Sequence, residues 1–317
     1  MTKQHKKKHL DKVVVIVGPT ASGKTALSLK LSKKFSGEII SADSRQIYRG
    51  MDIGTAKVSK EKMNVIKHHL IDIKNPNQDY TVAEFKKDAI KAINKIITLD
   101  KLPIIVGGTG LYISSLVNNL EIPKIKENKK LRAKIEKEIK EKGLEYVFDK
   151  LIELDPEAAY IVDPLNPRRV VRALEVATIS GKPYTLQRKV GKPLFEFLEI
   201  GIIQSPEILR QRISNRISQM IKDGLVDEVK SLVSKYGYQV KVFDAIDYRE
   251  IIGYLKSEIS LDQAIELMTK NTWHYGKRQI TWFKKDKKIH WIKNQKEAEN
   301  LVAKFIKNKT MSSSLFI

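Results

Sequence analysis

Apolar runs alternate with amphipathic segments along most of the chain. Val13–Val17 is a wholly apolar, β-branched run, which is typical of a parallel strand buried on both faces. Short apolar runs recur at 37–43, 68–73 and 103–106, and residues 82–99 carry apolar side chains at helical spacing. This alternation predicts an α/β fold in which helices flank a parallel sheet.

The pattern changes near residue 121. Residues 121–193 show no convincing strand, and 124–150 are rich in Lys and Glu with apolar residues at helical spacing. Later segments predict a strand at 194–204, helices at 207–234 and 264–283, and a strand at 289–292. We therefore predict a discontinuous α/β core, 10–120 with 194–310, interrupted by an all-helical insertion at 121–193. The ends, 1–12 and 311–317, are predicted to be a basic arm and a frayed tail.

A glycine-rich segment follows the first predicted strand and precedes a helical pattern. Its sequence, GPTASGKT, fits G-x-x-x-x-G-K-[ST], in which backbone N–H groups and a helix N-terminus surround phosphate. Lys24 adds a mobile positive charge, and the Thr25 hydroxyl can ligate Mg²⁺. The residues predicted to hold a diphosphate are Gly18, Pro19, Thr20, Ala21, Ser22, Gly23, Lys24 and Thr25. An ordinary strand-to-helix turn is the alternative, and the motif alone does not specify the reaction.

Two further strand ends carry polar residues. Asp43 ends one predicted strand, and Gly107-Gly108-Thr109 follows another. Because ligands of open α/β sheets bind at the carboxyl ends of strands, we expect these residues near the glycine-rich loop. One carboxylate and one threonine are few groups for nucleotide hydrolysis. They favour instead a transfer reaction in which pyrophosphate is the leaving group.

Composition narrows the class of protein further. The 317 residues include 59 Lys+Arg and 37 Asp+Glu, a net charge of +22, and no cysteine. The absence of cysteine excludes disulfides and thiol catalysis. The charge predicts a partner with many phosphates, such as nucleic acid, although a lysine-rich solvated surface would give the same count. Residues 1–10 are basic and lack the apolar segment of a signal peptide, and no stretch approaches transmembrane length, so we expect a cytoplasmic protein.

Six segments together resemble the signature blocks of the tRNA dimethylallyltransferase (tRNA isopentenyltransferase, IPP transferase) family. They are GPTASGKT (18–25), ADSRQIYRGMDIGTAK (42–57), HHLIDI (68–73), PIIVGGTGLY (103–112), RRVVRALE (168–175) and KRQITWF (277–283). They follow the family order over nearly the whole chain, and their combination is far more specific than the glycine-rich loop alone. One position departs from the pattern, because Asp247 stands where the family usually has glycine.

The resemblance implies a reaction and its groups. Dimethylallyl diphosphate would alkylate the exocyclic N6 amine of adenosine 37, 3′-adjacent to the anticodon, in tRNAs that read codons beginning with U. Diphosphate would leave, with Mg²⁺ present. Asp43 would accept the proton of the amine, or alternatively only ligate Mg²⁺. Thr109 would bond the leaving-group oxygen, or be only a turn residue. Lys24 and Arg212 would hold the diphosphate, with Arg216 as a neighbour on the helix surface.

The same resemblance implies that a monomer binds the anticodon stem-loop of tRNA, clamped between the insertion and the core, without membrane contact. The implied tRNA contacts are Asp43, Ser44, Arg45, Gln46, Thr109, Arg132, Pro167, Arg168, Arg169, Val170, Val171, Arg172, Lys277, Arg278, Gln279 and Trp282. The positive net charge would attract phosphates in a salt-dependent way. Three alternatives remain open: a P-loop nucleotide or nucleoside kinase, an isopentenyltransferase of free adenine nucleotides, and a non-catalytic RNA-binding module.

Overall fold

Six parallel strands form the sheet in a computed structural model that describes residues 10–308 except 124, 126 and 188. The strands are β1 (Lys12–Val17), β2 (Gly37–Ser41), β3 (His68–His69), β4 (Leu102–Val106), β5 (Glu196–Ile202) and β6 (His290–Ile292). Their spatial order is β3-β2-β4-β1-β5-β6, and every pairing is parallel. The predicted α/β fold with a parallel sheet is confirmed.

Strand β1 lies between β4 and β5, and Val13–Val17 are fully buried there. Branched apolar side chains on both faces of β1 explain this central position. Because β1, β2 and β4 are parallel neighbours, the loops that follow them meet at one edge of the sheet. That edge carries the glycine-rich loop, Asp43 and Thr109.

The chain divides into two compact units. One contains the residues up to Val117 and those from Leu194 onward, and the other is Asn118–Pro193. The first unit holds α1 (Lys24–Lys34), α2 (Lys60–Val65), α3 (Val82–Thr98), α4 (Gly110–Val117), α8 (Pro206–Lys222), α9 (Leu225–Tyr236), α10 (Tyr248–Leu255), α11 (Leu261–Lys284) and α12 (Gln295–Lys307). The second holds α5 (Lys129–Leu154), α6 (Ala158–Ile161) and α7 (Pro167–Ser180).

The second unit is built around its own apolar core. Helices α5 and α7 bury Ile135, Val147, Leu151 and Val170 against each other. Gly143 breaks the regular dihedral angles of α5 with φ 89°. Among the described residues of this unit, strand pairing is limited to one isolated bridge between residues 120 and 190.

Several predicted elements need correction. The single helix predicted at 207–234 is two helices, because Gly224 adopts φ 94° between α8 and α9. The strand predicted at 68–73 covers only β3, and the left-handed φ of Leu70 (61°) takes the chain out of extended geometry. Helices α10 and α12 were not predicted. The predicted frayed tail and residues 1–9 of the predicted basic arm lie outside the described residues, and Lys12 at the end of that arm opens β1.

Candidate active site

The glycine-rich loop leaves the end of β1 and returns into α1 at Lys24. Gly18 has φ 146° and Gly23 φ 101°, so two of its turns use backbone angles that favour glycine. A Cβ on Gly18 would lie 3.0 Å from the Ile202 carbonyl oxygen of β5. The Lys24 Nζ donates to the Pro19 carbonyl oxygen at 2.6 Å, which closes the loop around the lysine. The loop therefore has the backbone conformation that its glycine-rich sequence predicts.

Positive charge is concentrated at this loop. Lys24 is half-buried, and burial together with the charge of Arg216 lowers its pKa to about 7, although Asp43 acts in the opposite direction. Burial also lowers the pKa of Arg216, against the charges of Asp247 and Asp43. Two cations that repel each other in a partly dry site favour the binding of an anion between them.

Both arginines of α8 contact the loop. The Arg212 Nη1 donates to the Ser22 carbonyl oxygen at 3.2 Å, and the Arg216 Nη1 donates to the Thr20 Oγ1 at 3.2 Å. Arg212 is exposed, whereas Arg216 is half-buried. The interpretation of Arg216 as only a neighbour on the helix surface is wrong, because its guanidinium holds a side chain of the loop.

The ends of β2 and β4 are joined next to this loop. The Ser44 N–H donates to the Thr109 Oγ1 at 3.1 Å, and the Thr109 N–H donates to the Ala42 carbonyl oxygen at 3.3 Å. A Cβ on Gly107 would overlap the Ala42 backbone, so glycine is required for this approach. The Asp43 Oδ1 accepts the Arg45 N–H at 2.8 Å, which fixes the carboxylate. Asp43 stays half-buried, and its charge acts on both Lys24 and Arg216.

Gln279 of α11 connects the two glycine turns. Its Oε1 accepts the Thr20 N–H at 2.8 Å, and its Nε2 donates to the Gly108 carbonyl oxygen at 3.0 Å. The side chain is only 6% exposed, so the expected tRNA contact of this residue conflicts with its burial. Thr272, Gly276, Gln279 and Phe283 form the buried stripe of α11 at helical spacing. The helical spacing of these residues in the sequence could therefore have predicted that Gln279 faces inward.

The remaining candidates of the first unit lie at the same strand ends or on α11. Ser44, Arg45 and Gln46 are half-buried, and the Gln46 Nε2 donates to the Thr55 carbonyl oxygen at 3.2 Å. On α11, Lys277, Arg278 and Trp282 are exposed. The Lys277 Nζ lies 5.8 Å from the centre of the Trp273 ring, and the Trp282 indole contacts Gly110 closely enough to exclude a Cβ there. These side chains offer exposed cationic and aromatic surface to a nucleic acid.

The candidates of the second unit fall into two groups. Val170 and Val171 are 0% and 7% exposed in its core, which contradicts a side-chain contact with tRNA. Arg132 and Arg172 both pair with the fully buried Glu175, through Nη2 at 2.9 Å and Nη1 at 2.6 Å. In contrast, the expected contacts Pro167, Arg168 and Arg169 are exposed in the first turn of α7.

Sequence reasoning missed Glu228 of α9. Its carboxylate accepts the backbone N–H groups of Asp52, Ile53 and Gly54 at 3.0, 2.7 and 3.2 Å, and the Tyr248 hydroxyl at 2.6 Å. The turn at 52–54 is therefore held by the single side chain of Glu228. Such contacts to backbone leave no residue pattern in the segment that is held.

A cavity of about 430 Å³ lies between residues 52–63 and the C-terminal half of α8. Its wall includes Arg216 with apolar and charged side chains, among them Ile53, Ala56, Lys57, Met63 and Met220.

Within the described residues, no group of three or more His, Asp or Glu side chains is placed to hold a metal ion. In the same part of the chain, every helix is too short or too polar to span a bilayer.

A glycine-rich loop after the central strand of a parallel sheet, with two arginines of α8 bonded to it and a carboxylate at a neighbouring strand end, defines a P-loop protein. The model of the IPP transferase family matches residues 46–286, and the chain belongs to this family. The family expected from the sequence blocks is thus confirmed.

The similar proteins cover most of the chain. It is 44% identical over 313 residues to a tRNA dimethylallyltransferase of Acetivibrio thermocellus, which spans 97% of this chain and 100% of that protein. The solved structure of a tRNA isopentenylpyrophosphate transferase from Bacillus halodurans shares 37% identity with a TM-score of 0.69, covering 93% and 95% of the two chains. A eukaryotic dimethylallyltransferase solved while acting on tRNA shares 27% identity with a TM-score of 0.78, covering 96% and 81%.

Proposed function

We propose that this member of the IPP transferase family transfers the dimethylallyl group of dimethylallyl diphosphate to the N6 amine of adenosine 37 in tRNA, releasing diphosphate. The observation that carries the assignment of the site is the meeting of the glycine-rich loop with Asp43 and Thr109 at one sheet edge. Transfer from a diphosphate donor to an amine needs a loop that binds the leaving diphosphate and, beside it, a carboxylate that accepts the proton of the amine.

The diphosphate binds to the backbone N–H groups of residues 21–25 and to the side chains of Lys24, Arg212 and Arg216. Negative charge grows on the diphosphate as the carbon–oxygen bond breaks. Donors already fixed around that charge lower the barrier, because they need no reorganisation during the reaction. Arg212 and Arg216 are fixed in this sense by their bonds to Ser22 and Thr20.

Asp43 orients the adenine amine and accepts its proton as the new carbon–nitrogen bond forms. The electron pair of the broken carbon–oxygen bond leaves with the diphosphate. Thr109 Oγ1 already accepts a hydrogen bond from the Ser44 N–H, so its own hydrogen can donate to the departing oxygen. Asp43 and Thr109, at the ends of β2 and β4, therefore act on the two substrates of one step. Asp43 accepts the proton of the amine, and Thr109 donates a hydrogen bond to the leaving diphosphate.

Mg²⁺ suits this loop because the protein offers few ligands of its own. The exposed Thr25 hydroxyl would hold the ion, and phosphate oxygens and waters would supply the other ligands. The ion would supply charge neutralisation for the leaving diphosphate.

The tRNA is the second substrate. The target base lies in a stacked loop and has to be turned out to reach Asp43. Exposed Arg278 and Trp282 of α11, and Arg168 of α7, are suited to bind the surrounding phosphates and bases. The net charge of +22 adds non-specific attraction.

The test uses labelled dimethylallyl diphosphate, Mg²⁺ and unmodified tRNA, with ATP and free nucleosides as the parallel arm for a kinase. We expect label in RNA only. Asp43→Asn should lose transfer but still bind pyrophosphate, whereas Lys24→Ala should lose both. Lys33→Ala, an exposed lysine of the same helix, is the matched control. Full transfer by Asp43→Asn would refute its role as the base, and unchanged pyrophosphate binding by Lys24→Ala would refute the diphosphate site.

A further inference from the structure

A tryptophan between α8 and α11 holds two cationic side chains on the protein surface. The Arg210 guanidinium of α8 lies 4.6 Å from the centre of the Trp273 ring, and the Lys277 Nζ of α11 lies 5.8 Å from the same point. Both cationic side chains are exposed, whereas the indole is half-buried and packs against the apolar cluster that contains Leu209 and Met268. The two helices therefore bring like charges together at one ring.

The positive charge at this ring is not balanced by acidic side chains. The segments 208–222 and 267–285 contain Lys and Arg but neither Asp nor Glu. Within the described part of the chain, neither Arg210 nor Lys277 forms an ion pair with a carboxylate. The two cations cannot be further apart than the sum of their distances to the ring centre, so they repel each other. An anion bound by both would replace this repulsion with attraction.

The pair of cations lies near the glycine-rich loop but on another side of α8. A Cβ on Gly276, in the turn that follows Trp273, would lie 3.7 Å from the Pro19 Cβ of the loop. Arg212 bonds to the loop and lies two positions after Arg210 on α8, and side chains two positions apart on a helix do not face each other. An anion held by the pair is therefore distinct from a diphosphate in the loop.

We propose that Arg210 and Lys277, oriented by Trp273, bind a backbone phosphate of the tRNA substrate. The proposal rests on the function proposed above, and it adds Arg210 and Trp273 to the residues that position the RNA. A guanidinium offers several N–H donors in a fixed fork that fits phosphate, and the lysine adds a point charge. Contact with the indole restricts both side chains before RNA arrives, so less conformational entropy is lost on binding.

The neighbouring surface favours an RNA strand over an acidic protein segment. Exposed Arg278 and Trp282 continue the cationic and aromatic character along α11, beyond Trp273 and Lys277. Alternating cations and aromatic rings suit a single strand, because the cations contact phosphates and the rings stack on bases. An acidic peptide would use the cations but would leave the aromatic rings without partners.

The test measures the affinity of unmodified tRNA by fluorescence anisotropy over a range of salt concentrations. One phosphate contact to a single strand contributes about 0.7 to the slope of log affinity against log salt, so Arg210→Gln should make the slope shallower by about that amount. At low salt we expect roughly three- to tenfold weaker binding, and the difference should shrink as salt rises. Lys222→Gln removes the same charge from an exposed position at the end of α8 and is the matched control. An unchanged slope in Arg210→Gln, or an equal change in Lys222→Gln, would overturn the proposal.

Trp273 is a positioning residue in this proposal, and a double-mutant cycle tests that role. Trp273→Leu keeps an apolar side chain against the cluster but offers no ring to the cations. Arg210→Gln should therefore weaken tRNA binding less in the Trp273→Leu background than in the wild type, and Trp273→Phe should keep most of the affinity. A purely structural role of the indole would give additive effects, and additive effects would overturn the role of Trp273.

Two further measurements separate the proposal from its alternatives. Inorganic pyrophosphate should bind equally to Arg210→Gln and the wild type, and weaker binding by the variant would assign Arg210 to the diphosphate site instead. Polyglutamate replaces tRNA in a parallel titration, and a loss confined to polyglutamate would overturn the RNA contact. Absence of label in RNA with the wild-type protein would refute the function proposed above. Normal labelling with unchanged tRNA affinity in Arg210→Gln would overturn only the phosphate contact, so the two failures are distinguishable.

Discussion

Replacing Gln279 separates two roles for this residue, a tRNA contact and a brace between the glycine turns. Gln279→Leu keeps a buried side chain but leaves the Thr20 N–H and the Gly108 carbonyl without their partners. Gly108 is buried and cannot recruit water easily, whereas Thr20 is half-exposed. An unsatisfied buried group costs about 1–3 kcal/mol, so we assign about 2 kcal/mol to the loss at Gly108 and less to Thr20.

This energy should appear in the reaction with dimethylallyl diphosphate. If the loosened turns no longer hold the donors in place, a loss of about 2 kcal/mol corresponds to roughly a 30-fold decrease in kcat/KM. Gln279→Glu is nearly isosteric, but it places an oxygen against the Gly108 carbonyl and a negative charge near the diphosphate. It should therefore be at least as damaging as Gln279→Leu.

Two measurements decide the outcome: kcat/KM for dimethylallyl diphosphate, and tRNA affinity by fluorescence anisotropy at constant salt. The expected result is a large fall in the first and little change in the second. Thr281→Ala changes an exposed residue of the same helix and is the control. Weaker tRNA binding with unchanged kinetics for the diphosphate substrate would refute the brace and restore Gln279 as a tRNA contact.

Two predictions concern stability. Burial, aided by the charge of Asp286, raises the pKa of Glu199 in β5 to about 7, so folded Glu199 keeps a proton that the unfolded chain releases between about pH 4.5 and 7. The free energy of unfolding, measured in urea, should therefore decrease as pH rises through this window. Glu199→Gln should remove this pH dependence and stabilise the protein at pH 8 by up to about 3 kcal/mol. An unchanged pH dependence in the variant would contradict this. Glu228→Gln should lower the free energy of unfolding by about 2–3 kcal/mol, because an amide cannot accept all the hydrogen bonds of the carboxylate. Amide hydrogen exchange at residues 52–54 should become faster. An exchange rate equal to that of the wild type would contradict the role of Glu228 in holding this turn.

The glycine-rich loop was predictable because its chemistry is local. The strand before it, the two turns that need glycine and the helix after it are contiguous, so one segment of sequence contains the whole device. The joined ends of β2 and β4 were predictable for a related reason. Once both strands are assigned to a parallel sheet, Asp43 and Thr109 must meet at its carboxyl edge.

Other features carried a signal that was not used. Gly224 lies between two amphipathic stretches and ends α8, which explains why 207–234 is not one helix. Asn294 accepts the Glu297 N–H at 3.1 Å and begins α12, whose buried Ala298 and Val302 are four residues apart. Both elements follow ordinary capping and periodicity rules.

Glu228 could not have been predicted in the same way. Three of the four partners named above are backbone N–H groups 174–176 residues away, and nearly any residue can supply those. The contact exists only because α9 packs beside the turn at 52–54. Contacts of this kind require the tertiary structure, whereas the choice of a carboxylate to satisfy several N–H groups follows from its acceptor capacity.

The site itself depends on the distant part of the chain. Arg212 and Arg216 contact the loop across sequence separations of 190 and 196 residues, and Gln279 does so across 259. A glycine-rich loop with its lysine is common to many phosphate-binding proteins, so the loop alone sets affinity for phosphate but not the reaction. The strength with which the loop holds diphosphate should therefore depend also on α8 and α11, so that substitutions there weaken binding although the sequence of the loop is unchanged.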